Sequence, residues 1–213
     1  MAKLNYDELY NEITKFYPLG IKHTDPKYSE YPGLFEMQDL SHKKLAPTAS
    51  KKWKSLVTGI HLPNNKILRA SSESILFDPS YTGRLLVLKE KFGQATFTRE
   101  IVIHLSVLAP YYTVYGMDKV SLAIDGEEMI FDPIVYVSPY AFYSAIFPVV
   151  RDEVEKQYEG VKLIPFGLLS KRVSEVYVSG SKGSADRNAS VFQALFTPED
   201  VTSFKLIGDI YYE

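Results

Sequence analysis

A chain of 213 residues, 46% of them hydrophobic, can bury roughly 70% of its unfolded surface without a staple, and its lack of cysteine excludes disulfides, thiolate metal sites and a cysteine nucleophile. The formal net charge of −2 gives no reason to expect nucleic acid or an anionic membrane as a partner. No apolar run approaches the ~18 residues of a membrane span, and the opening MAKLNYDELYNEI is acidic where a secretory signal is apolar, so the expectation is a soluble, unprocessed, cytoplasmic chain.

The first predicted element is an amphipathic helix over residues 4–17. Leu9, Ile13 and Phe16 fall at helical spacing, Tyr6, Tyr10 and Tyr17 extend the stripe, and Pro18 and Gly20 stop it. Residues 18–49 hold Pro18, Gly20, Pro26, Pro32, Gly33 and Pro47 with little periodicity, and are read as a long irregular loop of the kind that often carries function. Tyr28 and Tyr31 within it are candidate partner contacts. His23, Asp25, Glu30 and Glu36 do not reach a diagnostic ligand spacing, so no metal site is assigned.

From Ser50, the stripe of Trp53, Leu56, Val57 and Ile60 predicts a short helix. Lys51, Lys52 and Lys54 fall off that stripe and join His42, Lys43 and Lys44 in the densest basic patch. Because the tryptophan belongs to the buried side, the patch reads as a solvated face rather than a phosphate or single-strand site. Pro63-Asn64-Asn65 turns the chain, and residues 66–70 and 74–77 are short strands.

Residues 81–117, YTGRLLVLKEKFGQATFTREIVIHLSVLAPYYTVYGM, carry the clearest pattern, a long hairpin turning at Gly93 and running on into a third strand after a break at Pro110. Phe97, Ile101, Ile103, Leu105 and Val107 share one face opposite Thr98, Glu100, His104 and Ser106, which marks a half-buried strand. The continuous run Leu85 to Leu88 points to a partner strand covered on both faces. Two-residue and three-residue loops at Gly93 both fit, so the register stays open.

A second hairpin follows over 120–131, turning at Asp125-Gly126 and setting Leu122 against Met129 and Val120 against Phe131. Its acidic tip, Asp125, Glu127 and Glu128, is a candidate contact for a basic partner. Residues 134–137 are a strand. Ser138-Pro139 then looks like a helix start, with Phe142, Ile146, Val150 and Val154 as the buried side, Pro148 kinking the helix or splitting it in two, and Gly160 as the end. Residues 161–164 and 173–178 are read as strands. The segment SGSKGSADRN, residues 179–188, is a flexible loop whose Lys182 and Arg187 are candidate anion contacts, although it lacks the Walker A pattern. Residues 191–196 are core, residues 197–200 cap a single helical turn, and residues 205–212 form a closing strand.

No G-x-S-x-G, H-E-x-x-H or G-x-G-x-x-G motif is present. Glu100, His104 and Ser106 share a strand face, but Glu100 stands about 13 Å from His104 along the strand and cannot orient its ring. His104 is therefore only a weak catalytic candidate, and no cofactor is expected.

These elements predict an α+β fold in a single domain spanning 1–213. A mostly antiparallel or mixed sheet is built around the central hairpin, with an N-terminal helix and a kinked mid-chain helix packed on it. With 16 tyrosines, long loops and no nucleophile–base pair, the expected role is non-enzymatic protein binding. Its most concrete form, by analogy of type, is a bacterial immunity-type protein that neutralises a partner toxin. The alternatives are a small enzyme or ligand-binding domain for an anionic small molecule, with His104 as acid or base beside Lys182 and Arg187, and a structural subunit of an assembly.

Overall fold

The computed structural model describes residues 4–62, 67–73, 78–124, 127–179 and 187–212. At its centre lies an antiparallel meander of β2 (Ser80–Phe92), β3 (Ala95–Ser106) and β4 (Tyr111–Ile124). Phe92 pairs with Ala95, so the shorter loop, Gly93-Gln94, joins the first two strands, and Gly93 takes a φ of +63° that an L side chain resists. Pro110 falls in the connection before β4, as its missing N–H requires. β4 runs unbroken to Ile124, so the two predicted hairpins share it. In β5 (Glu127–Ile130), Met129 stands opposite Leu122, and the Phe131 N–H donates to the Val120 carbonyl. The turn residues Asp125 and Gly126 lie outside the described residues.

The sheet order is β1 (Arg69–Glu73), β2, β3, β4, β6 (Ile134–Tyr136) and β8 (Lys205–Ile207). The outer edge of β4 is divided among three short strands: β7 (Lys162–Leu163) pairs with Tyr111 and Tyr112, β6 with residues 116–118, and β5 with residues 121–124. β7 runs parallel to β4 and β8 parallel to β6, while the remaining pairs are antiparallel. With six α-helices among the described residues, this is the expected α+β fold.

The alternation along β3 assigns a face to each core. Ile101, Ile103 and Leu105 pack with Trp53 and Val57 of α3 (Pro47–Gly59) and with Val150 and Val154 of α4 (Ile146–Gln157). Gly83 lets that layer close, because a Cβ there would come within 2.7 Å of Val57 and 3.1 Å of Trp53. On the opposite face, Val102, Tyr115 and Met117 meet Leu9 and Ile13 of α1 (Tyr6–Ile13), Leu34 of α2 (Pro32–Lys43), Phe166 of α5 (Phe166–Leu169) and Phe192 of α6 (Val191–Leu195). β3 is thus buried on both faces over its second half, which corrects the half-buried reading. In β2, Leu85 and Val87 are buried but Leu86, on the face of Glu100, and Leu88, beyond a bulge in the register, are only partly so. The apolar run there does not mark a strand covered on both sides.

The largest correction concerns residues 18–49, which hold a 3₁₀ turn (Pro26–Glu30), α2 and the start of α3 instead of an irregular loop. In sequence the prolines there look like helix breakers. Pro26, Pro32 and Pro47 instead each open a helical segment, at the position whose N–H has no intrahelical partner to lose. α1 is shorter than predicted, starting at an Asn5 cap whose side chain accepts the Glu8 N–H at 2.9 Å. Ser138 does not cap a helix, since its hydroxyl accepts the Asp209 N–H, and α4 begins at Ile146. Pro148 falls in the first turn of α4, where it costs no hydrogen bond, and the predicted helix is divided into a 3₁₀ turn (Ala141–Tyr143) and α4.

Residues 173–178 form no strand: Glu175 has a φ of +61°, and the Tyr28 hydroxyl binds the Tyr177 carbonyl. The closing strand ends at Ile207, before Gly208 at φ +111°. Residues 191–196 are core as expected, but in helical form, because Ser190 and Gln193 make a reciprocal capping box. The predicted strand over 74–77 lies outside the described residues, and β1 overlaps only the last two residues of the strand expected over 66–70.

Candidate functional site

One sheet face carries most of the chemistry. Thr82 and Arg84 of β2, Glu100 and His104 of β3, and Tyr115, Met117 and Lys119 of β4 all point to the side of α1 and α6, in the register Thr82–His104–Thr113 and Arg84–Val102–Tyr115. Glu73 of β1 adds a carboxylate opposite Thr82. Where this face runs out from under the helices, Thr82, Arg84, His104, Tyr115, Met117 and Lys119 line a cavity of about 390 Å³ together with Asp78, Thr197 and Glu199.

His104 lies at the bottom, 2% exposed. Its Nδ1 is 3.0 Å from the Thr82 hydroxyl and its Nε2 3.0 Å from the Tyr115 hydroxyl, with Tyr115 stacked against its ring and Phe192 edge-on. Burial, aided by the charge of Arg84, pushes its pKa down to about 3, so the ring is neutral near pH 7. Burial also raises the Tyr115 phenol, which stays protonated. No carboxylate hydrogen-bonds this imidazole among the described residues. Glu100 instead pairs with Lys119 at 2.9 Å and Arg84 at 3.6 Å, and the Ser106 hydroxyl accepts the Leu108 N–H. The shared strand face of Glu100, His104 and Ser106 is not a triad.

A buried cation sits beside Asp78, at the start of β2. Lys44 is 2% exposed, and its ammonium donates to the carbonyls of Asp78 and Ser80, the latter at 2.9 Å. Burial lowers Lys44 to about 8 and raises the Asp78 carboxyl, so desolvation outweighs their mutual attraction on both partners. This corrects the reading of Lys44 as part of a solvated face. Lys43, Lys51, Lys52 and Lys54 are exposed as expected.

The second region is the distal end of the sheet, which extends beyond both helical layers. Residues 89–92 of β2 and all of β5 are exposed, and Phe92, Met129, Ile130 and Phe131 are 64%, 54%, 66% and 47% exposed. β5 pairs only with β4, which leaves its outer edge without a neighbour among the described residues. The candidates Glu127 and Glu128 are exposed on this strand, while Asp125 lies outside the described residues.

The remaining sequence candidates separate. Tyr28 is buried and donates to the Tyr177 carbonyl at 2.7 Å, and half-buried Tyr31 donates to the Thr14 carbonyl at 3.2 Å, so both hydroxyls are used inside the fold. Tyr17 and Tyr81 do the same toward Ala194 and Lys44. Tyr140 and Tyr211 alone among the tyrosines are exposed, so the tyrosine surplus fastens segments together more than it forms a surface. Arg187 is exposed and does not line the cavity, and Lys182 lies outside the described residues. Sequence reasoning missed Thr82, Arg84 and Tyr115, although their shared parity with His104 follows once the hairpin register is known. Among the described residues, no group of three or more His, Asp or Glu is placed to hold a metal ion, and no helix is long and apolar enough to cross a membrane. Comparisons of the chain with protein-family models, with curated proteins and with solved structures find no match to any of them.

Proposed function

We propose that this chain is a protein-binding module that seats its partner on the distal end of the sheet. In the concrete form we favour it is an immunity-type protein that neutralises a bacterial toxin in the cytoplasm. One observation carries the reading: Met129, Ile130 and Phe131 are exposed together at the unpaired edge of β5, beside Glu127 and Glu128. Scattered exposed apolar residues are ordinary, but a contiguous group on an open edge marks an interaction surface. Such an edge offers main-chain hydrogen bonds to an added strand, and its alternating side chains supply pockets and register. The two carboxylates select a partner with basic residues around an apolar seat, which fits a toxin that handles an anionic substrate.

The test compares wild-type chain with the Ile130→Lys variant in a tagged pull-down, with mass spectrometry and light scattering of the eluate. The expected result is one stoichiometric partner, toxic when expressed alone, that the variant fails to retain while its thermal midpoint is unchanged. Equal retention by the variant, or a wild-type chain that elutes alone, overturns the proposal.

A further inference from the structure

The cavity over His104 has unused hydrogen-bonding capacity that can be counted. Thr82, neutral His104 and Tyr115 bring three protons to two contacts, Thr82 Oγ1 to Nδ1 and Nε2 to the Tyr115 oxygen. With the ring proton on Nδ1, the Tyr115 O–H donates to Nε2 and the Thr82 O–H is left over. With the proton on Nε2, the Thr82 O–H donates to Nδ1 and the Tyr115 O–H is left over. In either tautomer one O–H remains for an acceptor, and both hydroxyls belong to residues lining the cavity.

Arg84 stands beside this relay, and among the described residues its guanidinium makes two long ion pairs and no hydrogen bond. It faces Glu73 at 3.8 Å and Glu100 at 3.6 Å, both too long for hydrogen bonds, so its planar fork remains open to a carboxylate. At the Asp78 end the lining is acidic: Asp78, buried, and Glu199, exposed, stand there together, two carboxylates against the one buried ammonium of Lys44. Any carboxylate at Arg84 meets the repulsion of Glu73 and Glu100, which a simple anion has no second charge to offset, and a simple cation at Asp78 and Glu199 leaves the fork and the O–H unfilled. A molecule with charges of both signs satisfies both ends, while Met117, Val201 and Phe204 offer apolar wall to the carbon frame between them.

We propose that this cavity binds a small zwitterion of amino-acid to dipeptide size, with its carboxylate on Arg84 and the free O–H of the Thr82–His104–Tyr115 relay, and its ammonium between Asp78 and Glu199. The site is separate from the distal edge, and its occupancy does not depend on the protein-binding role.

Isothermal titration and thermal-shift measurements on the full chain test this with the proteinogenic amino acids and a set of glycyl dipeptides. Each hit is repeated as its N-acetylated and its C-amidated form, with acetate and ethylamine as single-charge controls. The expected result is at least one zwitterion that binds at millimolar concentration or below, with each blocked form about tenfold weaker or worse, the loss typical of a charge-assisted contact. Arg84→Gln should weaken the hit by a similar factor and abolish the penalty for amidation. Glu199→Gln, at an exposed position that spares the fold, should reduce the penalty for acetylation. The proposal is overturned if no member of the panel binds, if acetate or ethylamine binds as well as the zwitterion, or if both variants retain full affinity with both penalties intact.

Discussion

Tyr143 donates its phenol proton to Asp118 at 2.6 Å while its ring lies flat on Gly116, where a Cβ would come within 2.5 Å of the ring carbons. The same carboxylate accepts the Nε of Arg99 on both oxygens at 3.1 Å, so one buried acid fixes a 3₁₀ turn (Ala141–Tyr143) and a neighbouring strand to the middle of β4. Gly116→Ala should therefore displace the ring and cost about 2 kcal/mol or more, because an overpacked site must shift backbone or side chain. Tyr143→Phe keeps the packing but removes the hydrogen bond to a charged acceptor, at about 2 kcal/mol. Urea midpoints of the two variants, alone and combined, check this. A double variant as stable as either single one would show that both act through the same contact.

His104 makes stability depend on pH in a defined window. Its pKa is about 3 when folded against 6.5 for the ordinary side chain, so between those values the unfolded chain holds a proton that the folded chain does not. The contribution is complete above about 6.5 and is lost progressively as pH falls toward about 3, at up to about 1.4 kcal/mol per pH unit. Urea titrations at neutral pH and again in the mildly acidic range should show this loss. His104→Gln, which cannot take up the proton, should flatten the difference while lowering stability at neutral pH.

Tyrosine hydroxyls that reach across the chain should each carry a measurable share of stability. Tyr17→Phe strands the buried Ala194 carbonyl and should cost about 1–2 kcal/mol. Tyr31→Phe, on a half-buried ring, should cost less, and exposed Tyr211→Phe should change nothing beyond the noise of a surface substitution. Chemical denaturation of the three variants side by side gives the ranking. A Tyr17→Phe variant as stable as the parent would refute the fastening role.

Ser190→Ala should cost about 1 kcal/mol through loss of the α6 cap, read as a fall of roughly 2–4 °C in the thermal midpoint for a chain of this size. Gln193 also takes an N–H of Arg172 at 3.0 Å, and Arg172 reaches Asp200 at 2.7 Å. Gln193→Ala should therefore lower the midpoint further than Ser190→Ala, because it opens the cap and releases this fork together.

How far the sequence reveals the molecule depends on how local each signal is. Strict alternation in β3 and the paired apolar positions of the β4–β5 hairpin place those strands and Leu122 opposite Met129, since both depend only on neighbouring residues. Pro26, Pro32 and Pro47 mislead because proline breaks a helix interior and starts a helix equally well, and only the packing of Leu34 and Trp53 decides between the two. Lys44 reads as a surface lysine, since nothing local announces that the carbonyls of Asp78 and Ser80 will surround it. The cavity was hidden for a related reason. Thr82, Arg84, His104 and Tyr115 come from three strands, and their convergence is a property of register, which a one-residue slip at Gly93 would have reversed.

The division of the outer edge of β4 among β5, β6 and β7 sets a timetable for synthesis. A chain emerging from its N-terminus covers residues 121–124 almost at once through a short hairpin, but Tyr111 and Tyr112 wait for residues 162–163, and β6 gains its own neighbour only when residues 205–207 appear. Until then a growing polypeptide carries a stretch of exposed ladder next to aromatic side chains, the condition under which nascent chains stick to one another. Stalling translation between those two points should yield insoluble or chaperone-bound product, whereas release after residue 207 should not.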